Sequence, residues 1–311
     1  MTPQDNDRPT VGLFAVNMQP TVHPAALGEI ATLAEELGYD SLWAGEHVVL
    51  PDSPESGSPF DPALELVDPL ITLAHLSGVT RTIKLATGVV ILPLHNPLLL
   101  AKQLASLDVL CNGRLIFGYG NGYLEQSFDA VGVPFADRAS RSNEYLRAMR
   151  ALWHTEKPAY TGSHVSFSQV DAHPRPLQRS LHTVVGGAST RALREAATHA
   201  HGWYAWGMTP DALAEAKNAL DTMVRNNSRA EELGRIQITV TPPQGATVGA
   251  AQIDAFGAAG ADRIVLFPPD GLTIAELRAF IRAHAPAAIG AMPAPISTPR
   301  HEESHGHSTN P

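Results

Sequence analysis

The sequence predicts one (β/α)8 barrel, and three observations carry that reading. Eight short apolar runs recur along the chain, each followed by a stretch whose apolar residues keep helical spacing. The runs are continuous rather than alternating, as strands of a parallel sheet covered on both faces must be. Glycine and proline, 25 of each in 311 residues, fall between these units as punctuation. Strand–helix alternation defines an α/β class; counting strands does not prove closure, so a doubly wound sheet is the competing architecture.

The first run is 10–17 (TVGLFAVN). A helix over 23–38 follows, with Leu27, Ile30, Ala31, Ala34 and Leu37 on one face and Gly38 at its C-cap. The second run, 41–47 (SLWAGEH), leads through a Pro/Ser-rich loop at 51–62 to a helix over 68–79. The third, 84–92 (KLATGVVIL), precedes a helix over 96–110, which Asn96-Pro97 opens in cap and first-turn positions. The fourth, 114–120, is followed by helical patterns at 125–131 and 138–153. An inserted β-rich excursion at 155–180 comes before the fifth strand, 183–186, and its helix at 189–200. Strands at 203–206, 235–241 and 262–267 complete the set, with helices at 209–225, 248–259 and 274–284. The expected organisation is an N-terminal extension at 1–9, a barrel domain at 10–290 and a disordered tail at 291–311, rich in Pro, Ala, Ser and His.

Composition bounds the function. With 44% hydrophobic and 17% charged residues, the chain has the makings of a sizeable core. A net charge of −9 speaks against a broad basic footprint for nucleic acid or anionic membrane, though not against a local phosphate pocket. The single Cys111 excludes an intramolecular disulfide and a cysteine-based zinc site. No charged leader with an apolar core opens the sequence, and no run reaches the ~18 apolar residues of a membrane span. The expectation is a soluble, cytoplasmic protein.

In a barrel the reactive groups sit at the C-terminal strand ends and in the loops that follow. That rule selects Asn17-Met18-Gln19, Glu46-His47, His95-Asn96, residues 118–123, residues 186–189, Trp203 and Trp206, and Pro268-Pro269. His47 is the candidate for proton chemistry, because an imidazole titrates near neutrality; a polar residue satisfying its neighbours at the mouth is the bland alternative. The other histidines are scattered, and no Gly-x-Ser-x-Gly elbow or P-loop lysine occurs, so zinc chemistry, serine hydrolysis and P-loop chemistry are all disfavoured. Gly186-Gly187-Ala188-Ser189 runs from a strand straight into a helix, a shape that binds phosphate on free N–H groups or simply makes a tight turn capped by Ser189. Gly118, Gly120 and Gly122 do not have the Gly-x-Gly-x-x-Gly dinucleotide spacing. They clear room for a flat ring or turn a corner. Gly88 inside the third run marks a bulge or a close backbone approach.

Taken in order, AEELGYDSLWAGEHVVLP, DPLITLAHLSGVT, KLATGVVILPLHNPLLLAKQLASLDVLCNGRLIFGYGNGY, and VVGGAS followed by HGW resemble the luciferase-like monooxygenase superfamily, particularly its F420-dependent oxidoreductase branch. The resemblance extends over residues 11–207, and the block at 84–123 is its most specific part. It implies a barrel holding a deazaflavin (coenzyme F420), or alternatively FMN, at its C-terminal mouth. It also implies a non-proline cis peptide at Gly88-Val89 behind the ring. By the same match, His47 with Glu46 stands at the reactive face as proton donor or acceptor. Asn96, Asn121 and Gly122 line the ring and ribityl chain, and Gly186, Gly187, Ala188 and Ser189 take the phosphate. Trp43 and Tyr123 would shape the substrate cavity, no metal is called for, and a homodimer is allowed, since relatives often dimerise. An FMN-dependent monooxygenase and a non-catalytic flavin-binding barrel are the competing functions. Three positions depart from the family pattern: Glu46 for the usual Asp, Tyr123 for Trp or Glu, and His201 for the Asp before Gly202-Trp203. Without the acidic group at 123, a sugar-phosphate substrate is disfavoured.

Overall fold

The computed structural model describes residues 8–52, 57–227 and 229–294. Eight parallel strands lie side by side in chain order: β1 (Thr10–Leu13), β2 (Ser41–Ala44), β3 (Lys84–Thr87), β4 (Leu115–Gly120), β5 (Thr183–Gly186), β6 (Gly202–Trp206), β7 (Gln237–Thr241) and β8 (Arg263–Leu266). The sheet closes where β8 pairs with β1, with Thr10 opposite Arg263. The barrel is therefore real, and the doubly wound alternative is not what forms. A short extra strand, Val90–Ile91, bonds to the mouth end of β4 outside the eight.

Each strand is followed by a covering helix: α1 (Pro24–Glu36), α2 (Pro69–Val79), α3 (Pro97–Leu110), α4 (Arg138–His154), α5 (Thr190–His199), α6 (Pro210–Asn226), α7 (Ala250–Ala258) and α8 (Ile274–Ala283). Their starts are written locally. Asp68, Asn96, Ser189, Thr209 and Thr273 each accept a backbone N–H of the first turn, so donors that the helix leaves orphaned are paired.

The strands are apolar on both faces because both faces are covered. On β4, Leu115, Phe117 and Tyr119 pack into the layer between strands and helices. Ile116 points inward to join Phe14, Trp43, Ala86, Val184, Tyr204 and Val265, which fill the barrel.

Three strands stop well short of the mouth end of their apolar runs. The run 10–17 leaves the sheet after Leu13, and Ala15 takes φ 63°. The run 41–47 ends at Ala44, and 84–92 breaks at a cis peptide between Gly88 and Val89. In each case the residues beyond the break stay largely buried because they line the barrel mouth. The excursion forms a two-stranded antiparallel hairpin, Tyr160–Thr161 with Ser166–Phe167. Its turn is held by Glu144 of α4, which accepts the N–H groups of Ser163, His164 and Val165 at 2.7–3.0 Å.

At the opposite end, Asp40 pairs with Lys84 at 2.7 Å and with Arg263 at 2.5 Å. His201 stacks on His182, with ring centroids 5.0 Å apart. Its Nδ1 accepts the Thr183 N–H at 3.0 Å, just as Asp262 accepts the N–H of Ile238 at 2.7 Å. The imidazole thus bridges β5 to β6 in the way that a carboxylate bridges β7 to β8. Of the expected tail, residues 291–294 are tied to the barrel through Met292 to Pro9 and Ala294 to Gly38; the rest, 295–311, and residues 1–7 of the extension lie outside the described residues.

Candidate active site

The loops after β1, β2, β3, β4 and β5 converge on one mouth. Asn17, fully buried, ties the first two together. Its amide donates to the carbonyls of Gly45 at 2.8 Å and Val67 at 2.6 Å, and its oxygen accepts the Gly45 N–H. This fixes the chain just ahead of Glu46 and His47.

Glu46 is buried, and it faces away from His47. One carboxylate oxygen accepts the Ile91 N–H at 2.6 Å, and the other meets His95 Nε2 at 2.9 Å. The longer side chain, compared with Asp, is what lets the loop after β2 hold the segment after β3. His47 is half-buried against Phe60, ring centroids 5.0 Å apart, with Tyr123 edge-on at 6.4 Å. Its Nδ1 is buried and has no partner among the described residues. Burial pulls the His47 pKa below its ordinary value, against the opposing charge of Glu46. For His95, burial is outweighed by the hydrogen bond and charge of Glu46, with Asp68 adding, and the pKa rises. The surroundings thus favour the neutral form of His47 and the charged form of His95.

The cis Gly88–Val89 peptide closes the barrel interior from above. A Cβ on Gly88 would come within 3.1 Å of both Phe14 and Trp43 and 3.3 Å of Tyr204. Trp43 itself is fully buried, with its Nε1 donating to Ser41 Oγ at 2.8 Å, so it supports Gly88 from below. The Thr87 hydroxyl donates to the Gly118 carbonyl at 2.6 Å and accepts the Gly118 N–H at 2.8 Å, pinning the bulge to β4. Val89 wedges between two glycines: a Cβ at Gly186 would meet its Cγ1 at 2.9 Å, and one at Gly120 its Cγ2 at 3.1 Å. The glycines of β4 and β5 therefore make room for the bulge.

Gly122 takes φ 75°, and a Cβ there would stand 2.7 Å from Ile91. Gly187, at φ 118°, accepts the Trp203 indole N–H at 2.8 Å through its carbonyl. Gly187, Ala188 and Ser189 are exposed, and Ser189 caps α5 through Ala192 at 3.2 Å. Asn96 is exposed, its oxygen engaged at the start of α3 by Leu98 and Leu99. Asn121 is half-buried with Oδ1 unpartnered, and Tyr123 is exposed at the rim. The mouth thus brings together Glu46, His47, Gly88, Val89, Asn121, Gly122 and the turn 186–189, while Trp43 lies one layer down.

Sequence reasoning missed one cluster. Tyr119 and Glu195, both buried, converge with Asn121, and among the described residues the Tyr119 hydroxyl, both Glu195 oxygens and the Asn121 Oδ1 have no partner in hydrogen-bonding geometry. Burial raises the Glu195 pKa, against Tyr119, Asn121 and Arg191. A signal was present: Glu195 falls on the same stripe of α5 as Ala192 and Ala196, where an acid is out of place.

Comparison with known proteins agrees with this architecture. The family description luciferase-like monooxygenase matches residues 10–268, and the chain belongs to that family. An uncharacterized protein of Mycobacterium tuberculosis is 36% identical over 201 residues, which cover 62% of this chain and 70% of the relative. An FMNH2-dependent dimethylsulfone monooxygenase of Pseudomonas putida is 31% identical over 138 residues, covering 43% of this chain and 38% of that one. Among solved structures, an F420-dependent secondary alcohol dehydrogenase in complex with an F420-acetone adduct superposes with a TM-score of 0.74 at 15% identity, over 90% of this chain and 99% of that one. The monooxygenase RslO1 from Streptomyces bottropensis gives 0.69 at 20% identity, over 90% and 98%. At these identities the structures speak for the fold alone.

Proposed function

We propose that this chain is an F420-dependent oxidoreductase that moves a hydride between the deazaflavin C5 and a small organic substrate. One observation carries the reading: the backbone bulge at Gly88-Val89, pinned to Gly118 by Thr87 and seated on Phe14, Trp43 and Tyr204, shares a mouth with His47, a half-buried imidazole whose buried Nδ1 lacks a partner among the described residues. The residues fit such a cofactor. Gly88 and Val89 would back the ring, Asn96, Asn121 and Gly122 would line it and its side chain, and the turn 186–189, exposed at Gly187, Ala188 and Ser189, would take a phosphate. Bound there, the cofactor supplies hydride transfer at C5.

His47 takes or returns the proton that accompanies the hydride, and its depressed pKa keeps it ready to accept. Glu46 holds the floor in place, Tyr123 borders the substrate, and Trp43 acts on it only through Gly88. The resemblance of residues 11–207 to the F420-dependent branch of the family supports this choice. The Pseudomonas putida relative favours a second reading, an FMN-dependent monooxygenase on the same mouth.

Titrating the purified chain with F420 and with FMN separates the two. Micromolar F420 binding is expected; FMN binding with oxygen uptake and no F420 binding would sink the first reading. His47→Ala is expected to lower turnover by about 10²–10⁴-fold, with cofactor affinity retained. A non-catalytic barrel predicts no change in any turnover.

A further inference from the structure

Beside the cofactor floor lies a separate cavity of about 130 Å³, between the turn after β1 and the turn after β8. Phe14, Met18, Leu64, Phe267, Pro268 and Leu272 form its apolar walls. The polar side chains on its lining are already engaged. The Thr21 hydroxyl donates to the carbonyls of Val16 and Met18, Asp270 accepts from Gln244 at 2.7 Å, and Gln19 donates to Glu65. With an acidic side chain at Asp270 and no basic residue in the lining, the cavity is unsuited to an anionic ligand.

Two of its walls pack with residues of the mouth. Phe14 is the side chain that a Cβ on Gly88 or Gly45 would strike at 3.1 Å, and its ring packs edge-on to Trp206 at 4.8 Å. Leu64 and Phe60 pack against the same apolar cluster as Phe14, and Phe60 is the ring that lies 5.0 Å from His47. A molecule reacting beside His47 therefore has, past Phe60, an apolar recess walled by the same cluster.

We propose that this cavity takes the uncharged, apolar end of the substrate, a phenyl group or a five- to six-carbon alkyl chain, while the reacting carbon lies at His47. A cavity of about 150 Å³ with apolar walls admits benzene, so the group named is close to the largest that fits. The proposal rests on the oxidoreductase reading, since only a reaction at His47 gives the tail its other end.

The test has two arms. Toluene is titrated calorimetrically into the chain with no cofactor added, for wild type and for Leu64→Trp and Leu272→Trp, which fill the cavity from different sides. Saturable 1:1 binding is expected, weakened at least tenfold in whichever variant melts cooperatively. Non-saturating uptake, or equal binding in wild type and folded variants, overturns the proposal. In the second arm, methyl ketones of increasing length are offered with reduced F420, or with FMNH2 and oxygen. The specificity constant kcat/KM is expected to rise about fourfold per methylene until the tail reaches five or six carbons. That dependence should vanish in the filled variants, and its persistence there overturns the assignment. Absence of turnover with either cofactor tells against the oxidoreductase reading alone, because the toluene titration needs neither.

Discussion

Glu46 and His47 are adjacent in sequence but turn to different tasks. The carboxylate spends both oxygens on the segment after β3, at Ile91 and His95, and the imidazole is left to face the mouth. Glu46→Gln keeps the shape while replacing a charged acceptor by an amide that cannot serve both donors. Losing a charge-assisted bond of about 1.5–3 kcal/mol would lower kcat/KM by roughly 10–100-fold. The diagnostic readout is His95. Burial lowers its pKa and Glu46 raises it, so in Glu46→Gln the His95 titration followed by NMR should move down. Reduced turnover with an unmoved His95 titration would show that the pair is not the route. The place of positions 46 and 47 at the mouth was legible from where they fall after a strand. The partner of Glu46 was not, because His95 becomes its neighbour only once β2 and β3 lie side by side.

At the level of elements, the bulge after β3 is the feature around which β4 and β5 are cut to shape. Thr87 is bonded twice to Gly118, and Val89 fills the space that side chains at Gly120 and Gly186 would need. Gly186→Ala would push a methyl to 2.9 Å from Val89 Cγ1. Overpacking of this kind costs about 1–3 kcal/mol, a fall in Tm of several degrees for a chain of this size. Adding Val89→Ala removes the clash, so the double variant should be more stable than the sum of the two single losses implies. Strict additivity in thermal melts would refute the contact. Every barrel strand and its helix could be read from apolar periodicity. The strand ends could not, because residues 14–17, 45–47 and 89–92 remain apolar or buried after leaving the sheet, and periodicity does not distinguish a mouth loop from a strand. The glycines were equally ambiguous: a missing side chain looks the same in sequence whether a ligand or Val89 occupies the space.

For the molecule as a whole, the candidate active site and the groups that set acid stability lie at opposite ends of the barrel. At the end away from the mouth, Asp40 sits between Arg263 and Lys84; burial opposes its charge, but the two cations bring its pKa down to about 2. Next to it His182 and His201 stack with centroids 5.0 Å apart. Burial, then His201, Arg263 and Lys84, against Asp40, lower the His182 pKa to about 3. Burial, with Arg150 and Arg229 against Glu232, lowers that of His201 to about 4. Both histidines therefore fold neutral, whereas in the unfolded chain they protonate below an ordinary value of 6.5. Their contribution is complete above about 6.5 and declines as the pH falls toward 4; that of Asp40 is complete above about 3.8 and declines only below it. Allowing for partial solvent access, the histidines account for a loss on the order of 3 kcal/mol by pH 4, or roughly 5 °C in Tm. His182→Phe isolates this effect. Phenylalanine keeps the stacked ring and deletes a buried Nε2 that has no partner among the described residues, so Tm at pH 7 should hold or rise. Between pH 7 and 4.5 the variant should lose about half as much Tm as the wild type, and an unchanged slope in thermal melts would place the acid sensitivity elsewhere in the chain.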